Sequence, residues 1–125
     1  MAGAPILVVD DNSTNLVLMR FILEPRGYAV TTASSAEEAL AAIARQRPRL
    51  ILMDLQMPGV SGFELTRQLK RDPATRDIVI VAVTAYAMAG DEERARAAGC
   101  DDYLTKPIDK ERLRQVVADI LARPA

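Results

Sequence analysis

Residues 50–54 read Leu-Ile-Leu-Met-Asp, a short apolar run that stops at a carboxylate. Three more apolar runs stop in the same way at a charged or reactive residue: residues 6–9 before Asp10 and Asp11, residues 78–83 before Thr84, and residues 103–105 before Lys106. Such runs are typical of strands that are buried on both faces of a parallel sheet. Because ligands bind beyond the carboxyl ends of strands in open α/β sheets, we expect these side chains to meet there.

Helical patterns lie between the strand-like segments, which is the signature of βαβ units and a parallel sheet. The first helical pattern begins near Asn12 or Ser13 and ends at Pro25 and Gly27, with the proline in its last turn. Its predicted inward face consists of Leu18, Met19, Ile22 and Leu23.

The remaining elements complete this alternation. Residues 28–32 predict a second, more polar strand at an edge of the sheet, and capping boxes start helices at Ser35 and Ser61. Asp91 is a candidate N-cap for a short helix that ends at Gly99. The last helix, capped near Asp109, has an apolar stripe formed by Leu113, Val116, Val117, Ile120 and Leu121. The chain therefore has five predicted strands and five predicted helices.

The chemistry of the strand ends selects the strand order. In the order 2-1-3-4-5, Asp10, Asp11 and Asp54 follow neighbouring strands, with Thr84 and Lys106 on the other side of Asp54. The order 3-2-1-4-5 would separate Asp54 from the pair. We therefore predict an α/β fold of the flavodoxin-like (βα)5 type, a three-layer sandwich around a parallel five-stranded sheet of order 2-1-3-4-5.

Length and composition limit the possible classes of protein. The 125 residues suit one domain, residues 1–125, with no output domain after the last helix. There is no long apolar tract and no basic residue before an apolar run at the N-terminus, so we expect neither membrane insertion nor a secretory signal. The net charge of −1 argues against direct nucleic-acid binding. The single cysteine, Cys100, is predicted to be a small buried side chain in a cytoplasmic protein.

The chain contains no histidine. This excludes Ser-His-Asp and Cys-His nucleophilic pairs and an ordinary zinc site. It also means that a phosphohistidine, if one takes part in the chemistry, must come from a partner protein.

The predicted cluster suits a hard divalent cation and a phosphoryl group. Carboxylates repel one another unless a cation offsets the repulsion, and Mg²⁺ binds through one or two carboxylates while it keeps several waters. Lys106 would hold the phosphoryl group electrostatically, and Thr84 would donate its hydroxyl to a phosphoryl oxygen. Asp54 lies between the acidic pair and the Thr/Lys side, so it is the candidate nucleophile for an aspartyl phosphate.

Each of these residues also has an ordinary structural interpretation. Asp10 and Asp11 could cap the first helix, Thr84 could be a β-branched strand residue, and Lys106 could be a solvated surface lysine. Their joint occurrence at the same end of neighbouring strands favours the functional interpretation.

The sequence resembles the receiver domain of response regulators, the phosphoacceptor modules of two-component systems and phosphorelays, over essentially its whole length. The matching stretches are residues 8–12, 52–54, 57–59, 83–85, 98–104 and 106–107. Residues 84–94 are most similar to single-domain regulators of the DivK type, and also to receivers fused to hybrid histidine kinases.

The resemblance implies a role for each matched residue. Asp54 is the phosphoacceptor, and a histidine kinase or histidine phosphotransfer protein supplies the phosphoryl group. Mg²⁺ is held by Asp10, Asp11, Asp54 and the backbone carbonyl of Gln56, with Asp10 acting largely through water. Thr84 and Tyr103 form a switch pair, Lys106 binds the phosphoryl group, and a cis peptide precedes Pro107. A downstream protein target then binds a face that includes Ala87, Met88, Ala89, Tyr103 and Ile108.

Three other functions stay open at this point, one of which is a pure adaptor that never takes phosphate and is disfavoured by the intact set of Asp54, Thr84 and Lys106. An FMN-binding electron carrier of the same fold would need a glycine- and hydroxyl-rich loop where Asp10 and Asp11 lie. An aspartyl-phosphate hydrolase would usually have a second acid at the position of Gln56. The chain is therefore expected not to be an enzyme beyond its own phosphorylation and dephosphorylation, and to be either a stand-alone regulator or the receiver of a hybrid kinase.

Overall fold

The apolar runs form parallel strands of one sheet in the computed structural model, which describes residues 3–55, 61–84 and 91–122. The strands are β1 (Pro5–Val9), β2 (Ala29–Ala33), β3 (Leu50–Asp54), β4 (Val79–Thr84) and β5 (Asp102–Thr105). Within the described ranges their order is β2-β1-β3-β4-β5, and all four pairings are parallel. The predicted strand order is confirmed, and the more polar strand lies at an edge as expected.

The helices follow the strands in strict alternation. They are α1 (Ser13–Leu23), α2 (Ala36–Arg45), α3 (Gly62–Arg71), α4 (Asp91–Ala98) and α5 (Lys110–Leu121), and a 3₁₀ turn, Glu24–Arg26, follows α1. The side chains of Ser35 and Ser61 accept hydrogen bonds from backbone N–H groups three residues later. Asn12 and Asp109 cap α1 and α5 in the same manner. The prediction that Asp91 caps α4 depends on a side chain that lies outside the described part of the structure.

Alternate residues of each strand pack against opposite helical layers. Leu7, Ile51 and Ile80 face the layer made by α2, α3 and α4. Leu52 and Val81 face the layer made by α1 and α5. Because both faces of the sheet are covered, the central strands are apolar at nearly every position, which explains why their sequence shows continuous runs instead of alternation.

The end of the first helix differs from the sequence-based expectation. α1 ends at Leu23, and Pro25 is the second residue of the 3₁₀ turn instead of a residue in the last α-helical turn. A proline costs little there, because the first N–H groups of a helical turn have no internal partner. Gly27, with a φ of 89°, then closes the turn in the left-handed region.

The inward face of α1 is also narrower than predicted. Met19, Ile22 and Leu23 are buried, but Leu18 is 41% exposed. Successive helical residues are rotated by about 100°, so Leu18 lies at the margin of the stripe that Met19 and Leu23 define. The second strand likewise begins at Ala29, one residue later than predicted.

Cys100 is buried, in agreement with the prediction. It follows α4, is 6% exposed, and its thiol donates to Thr66 Oγ1 over 3.9 Å. Burial raises the pKa of the Cys100 thiol, and the contact with Thr66 offsets part of that rise. The cysteine is therefore a packing residue.

Candidate functional site

Three carboxylates meet at the carboxyl ends of β1 and β3. Val9 and Met53 are partners in the pairing of these strands, so Asp10 and Asp54 follow at the same level, and Asp11 is the next residue. One oxygen from each of the three carboxylates lies within 4.8 Å of the others. Asp10 and Asp54 are buried, whereas Asp11 is exposed. The cluster therefore has a buried base and a side open to solvent.

Lys106 brings an ammonium into this cluster from the end of β5. Its Nζ lies 2.9 Å from Asp10 Oδ2 and 3.7 Å from Asp54 Oδ2. Its backbone N–H donates to the Thr84 carbonyl oxygen over 2.7 Å, and the peptide bond to Pro107 is cis. One ammonium thus faces two buried carboxylates, which leaves the three acids with an excess of negative charge that an added cation would offset.

Asp10 has two further donors. Its Oδ1 accepts from the Asn12 backbone N–H over 2.9 Å, and its Oδ2 accepts from Asn15 Nδ2 over 3.3 Å. Asn15 was not among the predicted site residues. The sequence signal for Asn15 is its position in the first turn of α1, a helix that begins two residues after Asp11.

Thr84 and Tyr103 lie on the neighbouring strands. Thr84 is the last residue of β4 and is 1% exposed. Tyr103 is half-buried, pairs with Ala82 and packs with it on the side of α2, α3 and α4. Because side chains two residues apart in a strand share a face, Thr84 lies on the same side of the sheet as Ala82. Thr84 therefore lies between the acidic cluster and the strand that carries Tyr103.

Some of the predicted site residues lie outside the described residues. These are Gln56, Ala87, Met88 and Ala89. Ile108 is half-buried and packs against the core beneath α1 and α5. Together with Tyr103 and Arg112 it lines a groove of about 260 Å³ along β5 and the start of α5.

Gly62 is a second residue that the sequence analysis did not assign to the site. It is the first residue of α3, after the Ser61 cap, and it is buried. A Cβ atom at this position would meet the Asp54 carbonyl oxygen and would lie 2.7 Å from Leu55 Cα. The start of α3 therefore packs directly on the backbone that carries the Asp54 carboxylate.

The donor set fits Mg²⁺. It offers hard carboxylate oxygens, no histidine or thiolate, and an open side at Asp11 where water can complete the coordination. Lys106 Nζ is close enough to Asp54 to bind a phosphoryl group that enters beside this carboxylate. The geometry therefore suits the joint binding of a metal ion and a phosphoryl group.

Comparisons with known proteins agree with this geometry. The model of the response regulator receiver domain family matches residues 6–118. The chain belongs to this family. It is 44% identical over 116 residues to the polar-differentiation response regulator DivK of Brucella anthropi, which covers 93% of this chain and 94% of that protein.

Solved structures of receiver domains share the fold. A putative response regulator from Chloroflexus aurantiacus superposes with a TM-score of 0.91 at 33% identity, covering 97% of this chain and 99% of the other. The receiver domain of a sensor histidine kinase from Pseudomonas aeruginosa gives 0.88 at 34% identity, covering 98% and 100%, and has a magnesium ion coordinated in its active-site cleft. The receiver's relatives thus include both a named response regulator and a part of a sensor kinase.

Membership of the family makes this receiver a signalling switch of a two-component system, a class whose partners are histidine kinases or phosphotransfer proteins and downstream targets. No α-helix in the described ranges is long and apolar enough to span a bilayer.

Proposed function

We propose that this receiver accepts a phosphoryl group on Asp54 from a partner's phosphohistidine, with Mg²⁺ bound, and signals by a changed protein–protein contact. The observation that carries the proposal is the position of Lys106 Nζ, which lies within 4 Å of both Asp10 and Asp54, the two buried acids of the cluster. An ammonium placed there binds the anion that the reaction would deliver. An FMN-binding carrier is not favoured, because the same acids would repel the phosphate of the flavin.

The transfer is a substitution at phosphorus. A carboxylate oxygen of Asp54 forms a P–O bond while the P–N bond to the partner's imidazole breaks, and the leaving nitrogen keeps the electron pair and takes up a proton. Lys106 holds a non-bridging phosphoryl oxygen, and the Thr84 hydroxyl can donate to another. Asp54 is nearly buried, so the adduct is partly shielded from water.

The metal site supports this transfer. Asp11 and Asp54 would hold Mg²⁺ directly, with Asp10 acting through water and the Gln56 backbone carbonyl as a further ligand. When bound, the ion neutralises charge on the acids and on the phosphoryl oxygens. The location in the cytoplasm and the single-domain organisation over residues 1–125 stay predictions.

Replacing Asp11 by Ala is expected to remove measurable Mg²⁺ binding, because Asp11 is the exposed carboxylate through which the ion would reach the buried pair. Titration calorimetry with MgCl₂ measures the affinity, which for a site with few protein ligands is expected to be weak in the wild type. Asp119→Ala, an exposed acid on α5, is the control and should bind Mg²⁺ like the wild type. Unchanged affinity in Asp11→Ala would contradict the assignment of this ligand.

The donor protein is proposed to dock on α1. The large hydrophobic side chains exposed in the described part of the chain are Val17, Leu18 and Phe21, and all three lie on this helix. α1 begins directly after the acids, capped by Asn12, so a partner that covers this patch can bring a histidine to Asp54. Exposed apolar patches of this kind mark interaction sites.

Replacing Phe21, which is 77% exposed, by Glu is expected to slow transfer from a phosphorylated histidine kinase by about tenfold, the loss typical of an interface anchor. The kinase is chosen from a panel as the fastest donor to the wild type, and transfer is followed with radiolabelled phosphate. Phosphorylation by acetyl phosphate should be unchanged, since this small donor needs no docking surface. Ala41→Glu, which adds the same charge to the exposed face of α2, is the control. Equal slowing with both donors would show that the helix does not serve docking.

The output is proposed to involve Thr84 and Tyr103. A phosphoryl oxygen on Asp54 would draw the Thr84 hydroxyl toward it, and the Tyr103 ring, on the next strand, would move into the space. The change would be read at the face that contains Tyr103 and Ile108, together with residues 87–89, which lie outside the described ranges.

A further inference from the structure

Asp10 is a buried carboxylate that is held by donors from three parts of the chain. It is 3% exposed, its Oδ1 accepts from the Asn12 backbone, and its Oδ2 accepts from both Lys106 Nζ and Asn15 Nδ2. A buried carboxylate oxygen that loses a donor is destabilised, because bulk water does not readily reach it to replace the lost hydrogen bond. The donors on Oδ2 therefore decide how easily Asp10 can release any one of them.

Lys106 is the donor that the proposed function removes. Its Nζ is closer to Asp10 Oδ2, at 2.9 Å, than to Asp54 Oδ2, at 3.7 Å. A phosphoryl group on Asp54 would draw the ammonium toward Asp54 and weaken its contact with Asp10. In that state Asn15 Nδ2 is the donor that stays on Asp10 Oδ2 among those described.

We propose that Asn15 is a positioning residue that keeps Asp10 hydrogen-bonded when Lys106 moves to the phosphoryl group. This inference rests on the proposed function. Asn15 can act in this way because its own position is fixed: it lies in the first turn of α1, and its backbone N–H donates to the Asn12 cap over 3.3 Å. The amide has no charge, so it stabilises Asp10 without competing with the metal ion for the site.

The proposed role of Asn15 predicts different effects on the binding of Mg²⁺ alone and on the binding of beryllium fluoride. With Mg²⁺ alone Lys106 can stay on Asp10, so the loss of the Asn15 amide should change the Mg²⁺ affinity by less than about threefold. With Mg²⁺ and beryllium fluoride, which mimics the phosphoryl group on Asp54, Lys106 would be drawn away from Asp10. Asn15→Leu, which has a similar size and no donor, is then expected to bind beryllium fluoride about tenfold more weakly, the effect of one hydrogen bond to a charged group.

The experiment measures both affinities by NMR titration of the backbone amides. Asn15→Gln, which keeps the amide donor, should recover most of the loss. Thr14→Ala is the control, because Thr14 is exposed and the substitution keeps the backbone N–H that donates to Asn12. In a Lys106→Ala background, where Asp10 has no lysine to release, Asn15→Leu should affect the two affinities equally.

The outcomes distinguish this inference from the function on which it rests. If the wild type fails to bind beryllium fluoride at Asp54 with Mg²⁺ present, the proposed function is wrong. If the wild type binds it and Asn15→Leu binds it equally well, or weakens both affinities to the same extent, the role of Asn15 is overturned. A tenfold loss confined to beryllium fluoride, and absent in the Lys106→Ala background, supports it.

Discussion

Asp54→Asn is expected to abolish phosphorylation of the chain by acetyl phosphate and Mg²⁺. An amide of nearly the same shape fills the site at the end of β3, but it is not a nucleophile at neutral pH. Intact-mass spectrometry should show a gain of one phosphoryl group in the wild type and none in the variant. Treatment with hydroxylamine should remove the wild-type adduct, since an acyl phosphate is cleaved by this reagent.

The matched control is Asp109→Asn, because Asp109 is an exposed cap of α5 and asparagine caps helices equally well. This variant should be phosphorylated like the wild type. Asp54→Asn should remain folded, because it removes one of three negative charges that share the ammonium of Lys106. A phosphoryl adduct on folded Asp54→Asn would move the nucleophile to another residue.

The fold was predictable because the apolar runs and their polar ends carry two kinds of information. Runs such as residues 50–53 indicate strands that are covered on both faces. The alternation of these strands with helical patterns predicts that the sheet is parallel. Periodicity alone does not give the order of strands. The order came from the requirement that Asp10, Asp54 and Lys106 meet, and the pairing of β1 with β3 confirms it.

The predictions that were wrong about the fold concern residues whose environment depends on tertiary packing. Leu18 has the same hydrophobicity as Leu23, so the sequence does not show that one is 41% exposed and the other fully buried. Pro25 was placed in the last turn of the first helix, whereas the chain changes to a 3₁₀ turn at Glu24, one residue before it. Element boundaries depend on such local balances of small energies.

The site was predicted through residues with reactive groups, and the residues that support them were missed. Asn15 has the appearance of an ordinary polar residue in a first helical turn, and its contact with Asp10 depends on how the folded chain places α1 beside the end of β1. Gly62 was interpreted only as a residue within the Ser61 capping box, since the close approach of a helix to the backbone at Asp54 and Leu55 shows in the sequence only as the glycine itself.

Gly62→Ala is expected to lower the free energy of unfolding by about 3 kcal/mol, the upper end of the range for overpacked cores. The added Cβ would meet the Asp54 carbonyl oxygen and approach Leu55 Cα to 2.7 Å. These are backbone atoms, which cannot rotate away as a side chain could, so α3 must move off β3. Alanine is favoured over glycine by about 1 kcal/mol in a helix interior and by less at this first position, so without the clash the substitution would be neutral or slightly stabilising. The sign of the change in stability therefore shows whether the close approach exists.

Urea denaturation followed by circular dichroism measures the change in stability, with Gly3→Ala as the control. No heavy atom lies within 4 Å of a Cβ at Gly3, so this variant should lose only the cost of its φ of 76°, about 1–2 kcal/mol. Because the displaced α3 packs on the backbone of Asp54, Gly62→Ala should also be phosphorylated more slowly by acetyl phosphate under conditions where it is folded, whereas Gly3→Ala should not. A Gly62→Ala protein as stable and as reactive as the wild type would mean that the contact between α3 and β3 neither strains the fold nor positions the phosphoacceptor.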